Sequence, residues 1–156
     1  MPPALQKRPR LLAALVFGGA GLLLPTLWFL PVIGASHNAV VVTLYIGLPG
    51  LAAAVAGAVG EPWLDPARCR SGGRAVARGA GIAAGALVVF APMLALGLKW
   101  TEPGWTNPLG LTALILWFSL VAVGWAVAVV GGVAGWLVWR WRQRAARAVD
   151  SRSAEA

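Results

Sequence analysis

The chain has 156 residues, of which 59% are hydrophobic and only 12% are charged, about half the charged share of an average soluble domain. A soluble protein of this size could not bury so much apolar surface, so the composition excludes a soluble globular domain and indicates an integral membrane protein. The net charge of +8 argues for anionic lipid headgroups and against nucleic acid as a partner, because the basic residues flank apolar runs instead of lining one soluble face.

Four apolar runs are long enough to cross a bilayer, which requires about 20 residues. They predict spans over residues 11–33, 39–59, 77–98 and 111–139. The first run follows a basic lead, residues 1–10, and is longer than the apolar core of a signal peptide, which has about 7–15 residues. Short polar stretches separate the runs. The predicted fold class is therefore all-α, with four transmembrane helices in two antiparallel hairpins.

The fourth run contains no charged residue and ends at a basic segment that carries Arg140, Arg142, Arg144 and Arg147. These arginines are predicted to extend the fourth helix out of the bilayer and to contact lipid phosphate. Docking onto an acidic partner surface is the alternative. Residues 140–156 are predicted to form a basic cytoplasmic tail, and its end, from Asp150, to be disordered.

Orientation follows from the distribution of positive charge. With four spans, both termini share one side, and that side holds every basic residue except Lys99. The positive-inside rule therefore predicts that both termini are cytoplasmic. Arginine far outnumbers lysine, and alanine, glycine and valine dominate, which is typical of a GC-rich bacterial genome. The predicted location is thus a bacterial inner membrane.

Small residues spaced four apart are the strongest positive signal. They place two small side chains on one helix face, which lets another helix backbone approach closely. Such faces occur at Gly81 and Gly85, at Gly131 and Gly135, and at Ala53 and Gly57. Packing within the four-helix bundle and binding of another protein are both open for these faces.

Two stretches predict irregular backbone. Pro49 and Gly50 interrupt the second run near its middle, which predicts a kink or an unwound turn that protein or water must satisfy. Asp65, followed by a proline, is typical of a helix N-cap and predicts a short surface helix.

Several single residues leave alternatives. Trp125 falls in the middle of a span and either packs internally or contacts a partner, a lipid or a pigment. His37 in a polar turn is either a solvated residue or, paired with Met93, a heme ligand, and Trp105 lies in the second turn on that side. Cys69 between two arginines is either an incidental thiol or a reactive or acylated one.

Polar chemistry is sparse. Between the headgroup regions the spans contain no ionisable residue, which argues against ion-coupled transport and proton conduction. The candidate acids, bases and nucleophiles are scattered over two sides of the membrane, which argues against an enzyme. One histidine and one cysteine predict neither a metal site nor a cofactor. Five polar residues in the outer half of the spans either form a small hydrophilic pocket or, as serine and threonine often do, bond to carbonyls of their own helices. They are Thr26, Thr43, Tyr45, Thr112 and Ser119.

These patterns together predict a non-catalytic membrane protein. We expect an accessory or assembly subunit of a larger membrane complex, or a homo-oligomer, joined through small-residue helix faces. The alternative is a small oligomeric channel or facilitator that uses the break at Pro49 as its polar lining.

Overall fold

The computed structural model describes residues 8–33, 42–101 and 107–154. Their helices are α1 (Pro9–Ile33), α2 (Leu48–Gly60), α3 (Gly72–Thr101) and α4 (Pro108–Ala154). A π-helical turn, Thr43–Gly47, leads into α2, and a 3-10 turn, Glu61–Leu64, follows it. The predictions at His37 and Trp105 lie outside the described residues.

Four helical segments are long and apolar enough to cross a membrane. They are Pro9–Leu27, Thr43–Leu64, Gly72–Trp100 and Pro108–Arg147. The prediction of an all-helical chain with four candidate transmembrane helices is therefore confirmed, and these helices indicate a multi-pass membrane protein.

Side-chain caps fix the starts of the last two helices. The Ser71 hydroxyl accepts a hydrogen bond from the Arg74 N–H at 3.4 Å. The Asn107 carboxamide oxygen accepts the N–H groups of Leu109 and Gly110, both at 3.1 Å. Each cap satisfies N–H groups that have no partner within the first helical turn.

The prediction of a short surface helix at Asp65 is wrong, because the chain forms only a single turn there. The Asp65 carboxylate accepts the Ala67 N–H at 3.0 Å, and its carbonyl accepts the Cys69 N–H at 2.7 Å. The turn does not continue into a helix, because Ser71, two residues after Cys69, already caps the start of α3. The helical segment that does form here is the 3-10 turn before Asp65.

The helices contact one another in the sequence α1, α2, α3, α4, and α4 also contacts α1. Between α1 and α2, Phe17 faces Gly57 while Gly21 faces Ala53. Residue numbers therefore rise along α1 as they fall along α2, so these two helices run in opposite directions.

The packed core lies near one end of the bundle, which we call the basic end because it carries Arg8, Arg74 and Arg142. The core cluster comprises Ala13, Phe17, Leu64, Ile82, Ala134 and Val138, with Val16 and Ala56 packed against it. All four helices and the 3-10 turn contribute to it. Beyond this cluster, toward the other end of the helices, a cavity of about 300 Å³ lies between the helices.

Helix α4 is the longest element. Its 47 residues correspond to about 70 Å at a rise of about 1.5 Å per residue, so it extends well beyond the apolar run. Disorder was expected from Asp150, whereas the backbone continues as a helix to Ala154. Alanine and arginine are strong helix formers, and they dominate the segment that precedes this end.

Candidate functional site

Gly131 and Gly135 of α4 lie directly against Gly79 of α3. A Cβ atom added at Gly79 would lie 2.3 Å from the Gly131 carbonyl oxygen and 2.7 Å from the Gly135 Cα. This predicted face is therefore occupied within the chain. Sequence reasoning missed its partner, although Ala75, Gly79 and Ala83 repeat at the same spacing of four that identified the other faces.

The face at Ala53 and Gly57 packs against α1. A Cβ atom added at Gly21 would lie 2.6 Å from the Ala53 Cβ, and one added at Gly57 would lie 2.8 Å from the Phe17 Cβ and 2.9 Å from the Ala13 carbonyl oxygen. A side chain added at Gly21 or Gly57 would therefore push the two helices apart. This face is also occupied within the chain.

Gly81 and Gly85 differ from the other predicted glycines, because a Cβ atom added at either would meet nothing within 4 Å. Both are exposed, as are Ala77, Ala84 and Val88 at spacings of three and four along the same helix. Residues three and four apart share a helix face. We call these five residues the open face of α3.

Trp125 lies on the surface of α4 and is 68% exposed. This exposure rules out the internal-packing alternative for its indole ring. Trp117, Val121 and Val129 are exposed on the same helix, and together with Trp125 they form an apolar surface that we call the α4 strip.

A charge cluster at the basic end joins α4 to the turns after α2. The Arg142 guanidinium pairs with the Glu61 carboxylate, and its second amino group lies 3.5 Å from the Asp65 carboxylate. Glu61 is only 6% exposed. Arg142, one of the four arginines predicted to contact lipid phosphate, thus compensates this carboxylate, which would be costly to bury without a cation.

The other basic-tail residues remain at the surface. Arg140, Arg144 and Arg147 are exposed, and the Arg140 guanidinium lies 4.8 Å from the ring centroid of Trp136, within the range of a cation–π contact. The Glu61–Arg142 pair was missed because all four arginines follow one another in the sequence. The signal that could have revealed it was an acidic residue directly after an apolar span, which requires a cation.

Cys69 lies in a buried contact with the end of the apolar part of α4. It is fully buried, and its carbonyl accepts the indole N–H of Trp139 at 2.7 Å. A buried thiol is not accessible to acylation or oxidation, so this arrangement favours an incidental thiol over a reactive or acylated one. Nearby, the Arg78 guanidinium donates to the Trp63 carbonyl and ties the 3-10 turn to α3.

The predicted break at Pro49 and Gly50 lies at the contact between α2 and α1. The π-helical turn ends two residues before Pro49, which has no N–H to continue a regular helical ladder. The Pro49 carbonyl oxygen would lie 2.9 Å from a Cβ atom at Gly21, and a Cβ atom at Gly50 would lie 2.4 Å from the Leu22 side chain. The backbone at the break thus packs against α1, and Pro49 also lines the cavity between the helices.

Among the described residues, no group of three or more histidine, cysteine, aspartate or glutamate side chains could hold a metal ion. The hydroxyl groups of Thr26 and Thr112 donate to the carbonyls of Leu22 and Pro108 on their own helices, which favours the local alternative for these two residues. Tyr45 and Ser119 line the cavity between the helices. The arrangement therefore offers surfaces for binding and one ion-pair cluster.

The chain matches no known protein family, no curated protein and no solved structure. Its function is therefore inferred from its own contacts and surfaces.

Proposed function

We propose that this chain is a non-catalytic multi-pass protein of a bacterial inner membrane, an accessory or assembly subunit of a larger membrane complex or of a homo-oligomer. One observation carries this proposal. The open face of α3 presents Gly81 and Gly85 with nothing within 4 Å, whereas glycines at the other predicted faces are in close contact within the chain. The open face would receive a transmembrane helix of another subunit.

The chemistry of small residues supports this assignment. In lipid, helices gain no hydrophobic drive from association, so close backbone approach and dispersion become the main attractive terms. The contact of Gly79 with Gly131 and Gly135 in the same chain is an example of such an approach. The open face of α3 has the same residue types at the same spacing, and it has no partner among the described residues.

Four spans in two antiparallel hairpins, with both termini in the cytoplasm, complete the proposal. Its support is the charge distribution in the sequence, since every basic residue except Lys99 lies in a segment that four spans would place on the same side as both termini. This is the pattern that the positive-inside rule associates with the cytoplasmic side.

Anionic lipid is the second proposed partner. Arg140, Arg144 and Arg147 are exposed at the basic end, where each cation would gain about 1 kcal/mol from an anionic membrane surface. Arg142 contributes less, because its charge is already paired with Glu61.

The channel alternative would use backbone carbonyls around Pro49 as a polar lining. The Pro49 carbonyl lies close to Gly21 of α1 in the same chain, and Pro49 also lines the cavity between the helices. This contact favours close helix packing as the role of the break and, with it, the accessory-subunit proposal.

Site-specific photo-crosslinking tests the proposal. A photoreactive amino acid is introduced at Ala84 in the open face of α3 or, as a matched control, at Ala128, which is exposed on α4. After irradiation of membranes, we expect a discrete adduct of higher mass from position 84 and no such adduct from position 128. The same adduct from both positions, or none from either, would refute the open face of α3 as the partner surface.

A further inference from the structure

The cavity of about 300 Å³ is lined by all four helices. Phe17 and Leu24 of α1, Leu87 and Phe90 of α3, and Ala122 of α4 are among the side chains that surround it, and the lining is almost entirely apolar. It lies near the middle of the four apolar runs, residues 11–33, 39–59, 77–98 and 111–139. Phe17, which belongs to the core cluster, closes it toward the basic end.

The cavity has a side opening at α4. On α3, its lining residues Ala83, Ala86 and Leu94 are buried, whereas on α4 Phe118 is 64% exposed and Ala122 is also exposed. Trp117 and Val121 of the α4 strip are the sequence neighbours of Phe118 and Ala122, and both are exposed. A group that enters from the side must therefore pass exposed apolar side chains of α4.

We propose that this cavity binds the distal segment of one phospholipid acyl chain, which enters past Phe118 and Ala122. Protein interiors rarely keep voids much larger than a water molecule. An apolar cavity of about 150 Å³ stays dry and binds a small hydrocarbon, and this cavity has about twice that volume. The occupant must therefore be apolar, and the surrounding bilayer supplies acyl chains at the height of the opening.

The position of the cavity determines which part of the lipid acyl chain is bound. On α1 its lining runs from Phe17 to Pro25, nine residues with a total rise of about 12 Å at about 1.5 Å per residue. This interval lies around the middle of the apolar run 11–33, whereas the ester groups of a lipid lie at the edges of a hydrocarbon core about 30 Å thick. The methyl end of an acyl chain thus reaches the cavity, and the headgroup stays outside.

Photolabelling with lipids tests this assignment. The full chain is reconstituted in vesicles of phosphatidylethanolamine and phosphatidylglycerol that contain a trace of a phospholipid with a diazirine either near the methyl end or near the ester. We expect the methyl-end probe to label interior lining residues such as Leu87 and Phe90 of α3, at least fivefold more than the ester-end probe does. Equal labelling of the interior by both probes, or labelling confined to the α4 strip, would overturn the proposal.

A pair of matched variants tests the opening. Ala122→Trp places a large side chain at the mouth, and Ala128→Trp places the same side chain at an exposed position of α4 outside the cavity lining. We expect interior labelling to fall at least fivefold in the first variant and to stay unchanged in the second. Ala86→Leu, which fills the cavity from α3, should give the same loss without altering the mouth. Undiminished interior labelling in folded Ala122→Trp or folded Ala86→Leu would contradict the proposal.

The lipid site rests on the membrane placement in the proposed function but not on the open face of α3. A Gly81→Leu, Gly85→Leu double variant should therefore keep the interior labelling of the unchanged chain. If lipid labelling is lost while assembly stays intact, only the lipid site is refuted. If assembly is lost while labelling stays intact, the lipid site remains in place.

Discussion

Arg142 shows how strongly a single charge can depend on its surroundings. It belongs to a run of arginines that sequence alone assigns to the lipid surface, yet it pairs with Glu61, which is almost fully buried, and lies near Asp65. The pair joins the end of α2 to the extension of α4, two parts of the chain that are 81 residues apart. It therefore fixes where α4 leaves the bundle.

Replacing Arg142 should destabilise the fold. Arg142→Ala leaves the Glu61 carboxylate buried without its cation, a change that costs about 3 kcal/mol or more when a buried pair is broken. An exposed ion pair contributes at most about 1 kcal/mol. Thermal unfolding of the purified protein in detergent should show a clearly lower Tm for Arg142→Ala, and a nearly unchanged Tm for the control Arg144→Ala.

The double variant Glu61→Gln, Arg142→Gln separates the pair from general effects of either side chain. Because both charges are removed, it should be more stable than Arg142→Ala. If Arg142→Ala and Arg144→Ala unfold at the same temperature, the ion pair contributes nothing to the fold.

Residue types and spacing predicted which positions are suited to close helix packing, and the structure shows which of them have a partner. Gly131, Gly135, Ala53 and Gly57 are in close contact within the chain, whereas Gly81 and Gly85 are not. A spacing of four identifies a face but carries no information on which helix lies opposite. For the same reason the position of Glu61 after an apolar span could indicate a need for a cation but not that Arg142 supplies it, since that depends on the relative position of distant segments.

At the level of the elements, the contact between α3 and α4 is controlled by backbone approach. Gly79 lies so close to Gly131 and Gly135 that backbone atoms, not side chains, form the contact. Since backbone atoms cannot rotate away as a side chain can, even one methyl group must push the two helices apart.

Gly79→Ala should therefore destabilise the pair of helices. Overpacking of a tight contact typically costs about 1–3 kcal/mol, and here the added Cβ would lie within 2.7 Å of two backbone atoms. Gly85→Ala is the matched control on the same helix, because its Cβ would meet nothing within 4 Å. Thermal unfolding in detergent should show a lower Tm for the first variant only. An equal Tm for both would mean that α3 and α4 do not cross as described.

The bounds of the elements were predictable to different degrees. Apolar run length predicted four spanning helices, which is confirmed, because the length that a bilayer requires constrains the sequence strongly. The starts of α3 and α4 depend on the caps at Ser71 and Asn107, and the 3-10 turn Glu61–Leu64 lies outside the apolar runs. The turn at Asp65 was mistaken for a helix start, since the same cap chemistry serves single turns and helices.

The whole molecule combines an internally packed basic end with surfaces that have no partner among the described residues. The core cluster and the charge cluster lie at the basic end, the cavity lies near the middle, and the open face of α3 and the α4 strip lie on the outside. Such a bundle presents a surface that its own helix contacts do not use. The contrast between small-residue faces that pack within the chain and the open face of α3 is the basis of the proposed role as an accessory subunit.

The open face of α3 is tested most directly by the mass of the assembly that mild detergent extracts from membranes. The Gly81→Leu, Gly85→Leu double variant fills the open face, and Gly19→Leu adds the same side chain to α1, at a glycine that also has nothing within 4 Å. We predict that the unchanged chain and Gly19→Leu elute as a larger assembly. The double variant should associate at least about tenfold more weakly, which corresponds to about 1.4 kcal/mol, and elute as a lone chain. A double variant that keeps the assembly of the unchanged chain, or an unchanged chain that elutes alone, would contradict the account.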